Sequence, residues 1–180
     1  MADRVRVLLI SGSTRRGSVN TAALATVAAL APGPAIADWY DGLALLPAFN
    51  PDDDGDRLPD EADRLRREIA SADAVWVSTP EYAGSLPGSL KNLLDWTVGG
   101  GQFYGKPVAW LDVAAEGRGQ GARDGLRTVL GYVGADIVDA ACRRVPVDRA
   151  SVGPDGTVTA PGFRAEATKA WEALLGHLGR

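Results

Sequence analysis

The chain has 180 residues, 46% of them hydrophobic and 23% charged, and its 23 acidic and 19 basic side chains leave a net charge of −4. That mild acidity, with arginines scattered among Asp and Glu, argues against a nucleic-acid partner or an anionic membrane surface, both of which want a basic face. The single cysteine, Cys142, rules out an internal disulfide and a cysteine-based zinc site, and the single histidine, His177, leaves little for histidine catalysis or a metal centre.

The length suits a single domain over residues 1–180. The opening "MADRVRVLLI" lacks the shape of a signal peptide, and no run of about 18 apolar residues exists to span a membrane. With the lone cysteine, this predicts a cytoplasmic protein.

"VRVLLIS" (5–11) is nearly continuous in apolar residues and predicts a strand buried on both faces. The loop 11–20 follows, then a helix over 21–31 that Ser18 or Asn20 could cap and "PGP" (32–34) stops. A weaker strand is expected at 35–40, a long loop with a solvated acidic run "PDDDGD" at 41–56, and an amphipathic helix at 60–72.

The third strand, 73–80, ends at Pro80, which cannot donate to a ladder. The stretch 84–98 contains a helix with Leu90, Leu93, Leu94 and Val98 on one stripe and Pro87 in its first turn. Then come a glycine loop (99–105), a strand at 106–115, a glycine loop (116–121), a helix at 122–134 and a fifth strand at 135–147. The turn-rich 148–162 leads to a closing helix at 163–179, with His177 an ordinary helix-end residue. Trp76 and Trp110 read as core.

Five βα units in a row predict an α/β fold. It is a doubly wound, flavodoxin-like parallel sheet of five strands in the order 2-1-3-4-5, with helices on both faces. Ligands in such sheets bind outside the carboxyl ends of the strands, so loops 11–20, 80–87 and 114–121 should converge.

Loop 11–20, "SGSTRRGSVN", runs into a helix N-terminus, where free amides and the helix dipole favour an anion. After Gly12 the second glycine of a dinucleotide fingerprint is missing. Gly12 and Gly17 have Walker A spacing, but Ser18 stands where the lysine should be. The hydroxyls of Ser11, Ser13, Thr14 and Ser18, the Asn20 amide and the guanidinium groups of Arg15 and Arg16 suit one terminal phosphate monoester. The competing expectation is a polar turn that merely caps a helix.

Together, "GSTRRGSVN" and "PEYAGSLPGSLKNLLDW" closely resemble the NADPH-dependent FMN reductase family, the flavodoxin-like group that includes bacterial chromate, quinone and azo-dye reductases. The family pattern reads roughly G-S-x-R-x-x-S-x-N, then P-E-Y-N-x-S-x-P-G-x-L-K-N-x-x-D-W. The chain matches it at Gly12, Ser13, Arg15, Ser18 and Asn20. It matches again at Pro80, Glu81, Tyr82, Ser85, Pro87, Gly88, Leu90, Lys91, Asn92, Asp95 and Trp96. "GKPVAWLDVAAEGRGQGARDGLRTVL" (105–130) is similar to the family's fourth strand, third loop and next helix. Two positions depart. Ala83 stands where asparagine often follows the tyrosine, and Glu116 occupies a loop where small residues are usual.

The resemblance implies FMN as cofactor, NADPH or NADH as co-substrate, and an acceptor such as a quinone, azo compound, chromate or free flavin. It implies a phosphate site at Ser11, Ser13, Arg15, Ser18, Val19 and Asn20. The ring would be framed by Pro80, Glu81, Tyr82, Ala83, Gly84 and Ser85, with backbone groups of residues 81–84 along its edge, and by Ala115, Glu116 and Gly117. No catalytic side chain and no metal are required, because the flavin carries the chemistry; Tyr82 could line the site. A homodimer or homotetramer is implied, with the 87–98 helix region at the subunit contact, where Asp95 and Trp96 could equally serve as cap and core. A flavodoxin-like electron carrier without its own NAD(P)H turnover, and a phosphate-ligand sensor, are the competing functions.

Overall fold

The computed structural model describes residues 4–180. β1 (Val5–Ser11), β2 (Ala35–Tyr40), β3 (Ala74–Ser78) and β4 (Pro107–Asp112) form a parallel sheet, joined on the far side of β4 by β5 (Asp136–Ile137). The order is β2-β1-β3-β4-β5, as the βα alternation predicts.

Alternation along β1 divides the interior in two. Val7 and Leu9 face α1 (Val19–Ala29) and α5 (Pro161–His177), where Trp76 and Trp171 meet edge to face at 5.1 Å. Leu8 and Ile10 face α2 (Asp60–Ser71), α3 (Gly88–Asp95) and α4 (Gln120–Tyr132). Both faces of the sheet are covered, which is why the strands read as unbroken apolar runs. No helix of the described residues is long and apolar enough to cross a membrane, and no cluster of metal-ligating side chains is found among them.

Several expectations are corrected. The fifth strand does not run through 135–147. After β5 the chain makes a 3-10 turn at Asp139–Ala141 and returns to β4 as β6 (Arg143–Arg144). The turn buries Ala141, and Asp139 pairs with Arg127 of α4 at 2.5 Å. A short Asp-Ala-Ala run favours such a turn over continued ladder pairing.

Val98 is 58% exposed, because α3 ends at Asp95 and the apolar stripe stops with it. Pro87 is the N-cap of α3 rather than part of its first turn. Trp96 is core: it is fully buried, packs edge to face on Phe49 at 5.0 Å and donates its indole N–H to the Pro47 carbonyl at 2.8 Å. Asp95 pairs with Lys91 at 2.6 Å.

Within the acidic run, Asp54 is not solvated. It pairs with Arg66 at 2.6 Å, and both side chains are largely buried. His177 closes the last turn of α5 and shares a 2.7 Å contact with Asp136. Burial pushes the Cys142 thiol up to about 11, so it is a packing residue rather than a nucleophile at neutral pH.

Candidate functional site

Strand register decides where the loops emerge. Ser11 at the end of β1 lies opposite Ser78 at the end of β3, and Ser78 lies opposite Leu111 in β4. Three loops therefore leave the sheet side by side, at the point where strand order reverses. The buried Ser78 hydroxyl donates to the Leu111 carbonyl at 2.9 Å and also reaches Asn20 Oδ1 at 3.0 Å. One small polar side chain thus ties the first helix to the third and fourth strands. Sequence reasoning passed over it because a serine at a strand end carries no motif.

The first loop is fixed from within. Ser11 Oγ lies 2.8 Å from Thr21 Oγ1 and accepts from the Ser13 amide at 3.4 Å, while Ser13 Oγ accepts from the Arg15 amide at 3.3 Å. Gly17 takes φ of 62° to turn the chain into α1. Gly12 is required by proximity: its N–H donates to the Ser78 carbonyl at 2.8 Å, and a Cβ there would lie 2.3 Å from Thr79 Oγ1.

Ser18 is the N-cap residue of α1, yet its hydroxyl makes no cap hydrogen bond, and no acidic residue stands in the first turn. Asn20 is nearly buried and spends its carbonyl oxygen on Ser78; no acceptor among the described residues takes its Nδ2 hydrogens. The helix start is left short of acceptors, which is the condition for holding an anion.

The second loop is a tight two-residue hairpin. Tyr82 and Ser85 exchange both backbone hydrogen bonds at 3.0 Å, and Ala83 (φ 49°) and Gly84 (φ 72°) form the turn. Positive φ at both central residues is the type I′ geometry, which favours Asn-Gly. That gives a physical reason for the asparagine that the family pattern often carries, and it places a backbone strain on Ala83. We expect Ala83→Asn to stabilise the fold by about 0.5–1 kcal/mol. Calorimetry should then show Tm raised by roughly 1–4 °C; an unchanged or lower Tm would contradict it.

Because Tyr82 spends its N–H and carbonyl on this turn, only the amides of Glu81, Ala83 and Gly84 are left to face a ligand edge. Tyr82 itself is 57% exposed. The Glu81 carboxylate accepts from the Gly121 amide at 2.9 Å and the Ala122 amide at 3.4 Å, so it caps the N-terminus of α4 and fastens the second loop to the third. At the same junction, a Cβ on Gly121 would fall 1.9 Å from the Gly84 carbonyl oxygen.

The third loop is organised by Asp112. This buried carboxylate ion-pairs with Arg123, lies 3.4 Å from Arg144 and accepts from the Ala114 amide at 2.9 Å. Glu116 points outward and reaches Arg144 at 3.5 Å. Gly117 sits at the loop tip with φ of 73°.

Between these loops lies a cavity of about 260 Å³. Val19, Asn20, Pro80, Glu81 and Ala115 line it, as the resemblance implies, together with Thr79, Val113, Ala114, Arg118 and Val147, which sequence reasoning did not name. Ser11, Ser13, Thr14 and Arg15 line a separate cavity of about 410 Å³, on the β2 side of the first loop, with Arg16, Trp39 and Leu43. Glu116 and Ala115 border a third hollow with Pro146, Val147 and Asp148. Tyr82, Ala83, Gly84 and Ser85, which the resemblance placed at the ring, do not line the first cavity; they follow Glu81 in the chain. Val147 was missed because the resemblance fades in the last fifty residues, and Thr79 because it precedes the motif.

The donor set fits FMN. The first cavity is near the lower end of small-molecule sites, about 300 Å³, and opens to solvent as a flat ring with one exposed edge would need. The α1 amides and the spare Asn20 hydrogens are the donors that would be available to its phosphate tail.

Comparison with known proteins agrees. The family model described as NADPH-dependent FMN reductase matches residues 5–145. An NAD(P)H-dependent FMN reductase of Pseudomonas aeruginosa is 40% identical over 117 residues, which are 64% of this chain and 63% of that protein. A 2-hydroxy-1,4-benzoquinone reductase of a Burkholderia species is 30% identical over 89% of this chain and 88% of its own length. Among solved structures, the flavoenzyme FerB of Paracoccus denitrificans, an NAD(P)H:(acceptor) oxidoreductase, superposes with a TM-score of 0.81 at 26% identity, covering 96% of this chain and 98% of that one. An azoreductase of Bacillus anthracis shares the fold at a TM-score of 0.59 and 18% identity, over 94% and 98% of the two chains.

Proposed function

The chain belongs to the NADPH-dependent FMN reductase family, and on that premise we propose that it is an FMN-dependent NAD(P)H oxidoreductase whose acceptors are small molecules of the quinone class. The observation that supports this reading is the Ser11–Ser78–Leu111 register, with Ser78 bound to Asn20: Val19 and Asn20 at the start of α1 and Pro80 and Glu81 after β3 line one cavity.

When bound, FMN would supply hydride-transfer chemistry between a nicotinamide and the acceptor. The chain's part is to bind and orient. The amides at the start of α1 hold the phosphate. The free amides of Glu81, Ala83 and Gly84 would be the donors toward the ring edge, where oriented amides favour developing negative charge. Glu81, by capping α4, keeps those amides fixed in place.

The cavity's open side leaves one slot for donor and acceptor in turn, a ping-pong arrangement that needs neither histidine nor metal. The finer reading is a cytoplasmic homodimer or homotetramer acting as one 180-residue domain per subunit. The subunit contact implied by the resemblance lies at the α3 region, where Val98 just past the helix is exposed.

The experiment is an absorbance spectrum of purified protein, then titration with NADPH and NADH under nitrogen followed by a quinone. The expected result is flavin absorbance that bleaches with reduced nicotinamide and returns with quinone, turning over many times. Flavin absorbance with negligible turnover would make the protein an electron carrier. Protein that stays colourless in the presence of FMN would contradict the reading altogether.

A further inference from the structure

Arg149 lies beyond the segment that matches the family model, in a stretch from which sequence reasoning expected only turns. The structure gives it a fixed place. Asp148 caps a 3-10 turn at Arg149–Ser151, accepting from the Ala150 amide at 3.0 Å. The following hairpin is closed by the Val152–Val158 bridge and by the Thr159 amide donating to the Ser151 carbonyl at 2.8 Å. The Val158 amide then donates to the buried Thr26 hydroxyl of α1 at 2.7 Å. The segment is therefore fastened to the helix that the first loop feeds.

From that position the Arg149 guanidinium faces the first loop: a Cβ placed on Gly17 would meet Nη2 of Arg149 at 3.8 Å. Among the described residues, no carboxylate pairs with Arg149, Arg15 or Arg16. Eight arginines, Arg6, Arg64, Arg66, Arg67, Arg123, Arg127, Arg143 and Arg144, have acidic partners, while Arg4, Arg57, Arg118, Arg164 and Arg180 have none among the described residues; what sets Arg149 apart is its approach to the loop that carries Arg15 and Arg16. Guanidinium groups brought from two distant segments to one loop at a helix N-terminus raise the positive potential there and favour an anion beside them.

We propose that Arg149 is a phosphate-binding residue that adds to the α1 amides and Arg15 at the FMN phosphate, so that the tail is held by arginines from two distant segments of the chain. This rests on the FMN reading above. A phosphate monoester carries close to two negative charges and three acceptor oxygens, enough for two guanidinium partners besides the helix amides.

The test compares FMN with riboflavin, which has the same ring without the phosphate, by quenching of flavin fluorescence in wild-type protein and in the Arg149→Gln, Arg149→Lys and Arg15→Ala variants. Arg149→Gln should weaken FMN by about ten- to a hundredfold, leave riboflavin within about twofold of wild type, and flatten the salt dependence of FMN binding. Arg149→Lys should recover part of the loss.

An Arg149→Gln variant that binds FMN like wild type, while Arg15→Ala loses it, would overturn the role of Arg149 and leave the phosphate site standing. Equal losses for FMN and riboflavin would also overturn it, marking a structural effect. Wild-type protein that binds FMN no better than riboflavin would sink both the proposal and the phosphate reading beneath it.

Discussion

Gly121→Ala is expected to lower the stability of the protein by about 2–3 kcal/mol and to loosen flavin at the same time. Two effects of opposite sign meet at this position. Alanine is the better helix former by roughly 0.5–1 kcal/mol, which favours the substitution in the first turn of α4. Against that, the new Cβ would lie 1.9 Å from the Gly84 carbonyl oxygen and 2.5 Å from its carbonyl carbon. The obstacle is backbone, held in a type I′ turn by two hydrogen bonds, so no side-chain rotation relieves it.

Either the 82–85 hairpin or the start of α4 must move, and the Glu81 cap on the Gly121 and Ala122 amides stretches in both cases. The steric term is larger and should win. Thermal unfolding should fall by roughly 5–10 °C, and FMN and riboflavin should weaken together, because the damage lies at the ring edge. A Tm within a degree of wild type would show that the two loops are not locked in this way.

Gly12→Ala should have an effect of similar size at the other junction, with a different signature. A Cβ there would sit 2.3 Å from Thr79 Oγ1, 2.6 Å from Thr79 Cβ and 2.9 Å from Leu90 Cδ2. Threonine is short and β-branched, so it cannot swing clear, and Leu90 is fully buried. The first loop would have to lift from β3, straining the 2.8 Å hydrogen bond from the Gly12 amide to the Ser78 carbonyl. The cost is about 1–3 kcal/mol. On the proposed placement of the phosphate at this loop, FMN should weaken by more than riboflavin does. Titration of both flavins against this variant and against Gly121→Ala separates the two junctions; identical ratios in the two variants would contradict the division of labour.

Much of this was legible in the residues. The strand runs "VRVLLIS" and "DAVWVSTP" announced a sheet covered on both faces, and the βα alternation fixed its order. The two motifs pointed to loops at the strand ends, where those loops do emerge, because glycines, hydroxyls and a proline at those spacings serve chain reversal and anion binding. What could not be read was contact between distant segments. Nothing in the sequence says that Glu81 caps α4, since any acid beside a strand end looks the same. Nothing marks Ala83 as a positive-φ residue, because alanine is the wrong chemistry for that role. The fifth strand read as continuous because apolar spacing does not reveal that Asp139–Ala141 makes a turn. Arg149 and Val147 were silent because their meaning lies wholly in where the C-terminal segment docks.

The claim beneath all of this is that a single flavin mononucleotide bridges the first and second loops. A crystal structure of the protein soaked with FMN tests it most directly. The account predicts phosphate density against the amides of residues 18–21, with the ring lying in the cavity lined by Asn20, Pro80, Glu81 and Ala115. Flavin density on another face of the molecule, or a phosphate far from α1 with the ring elsewhere, would contradict it.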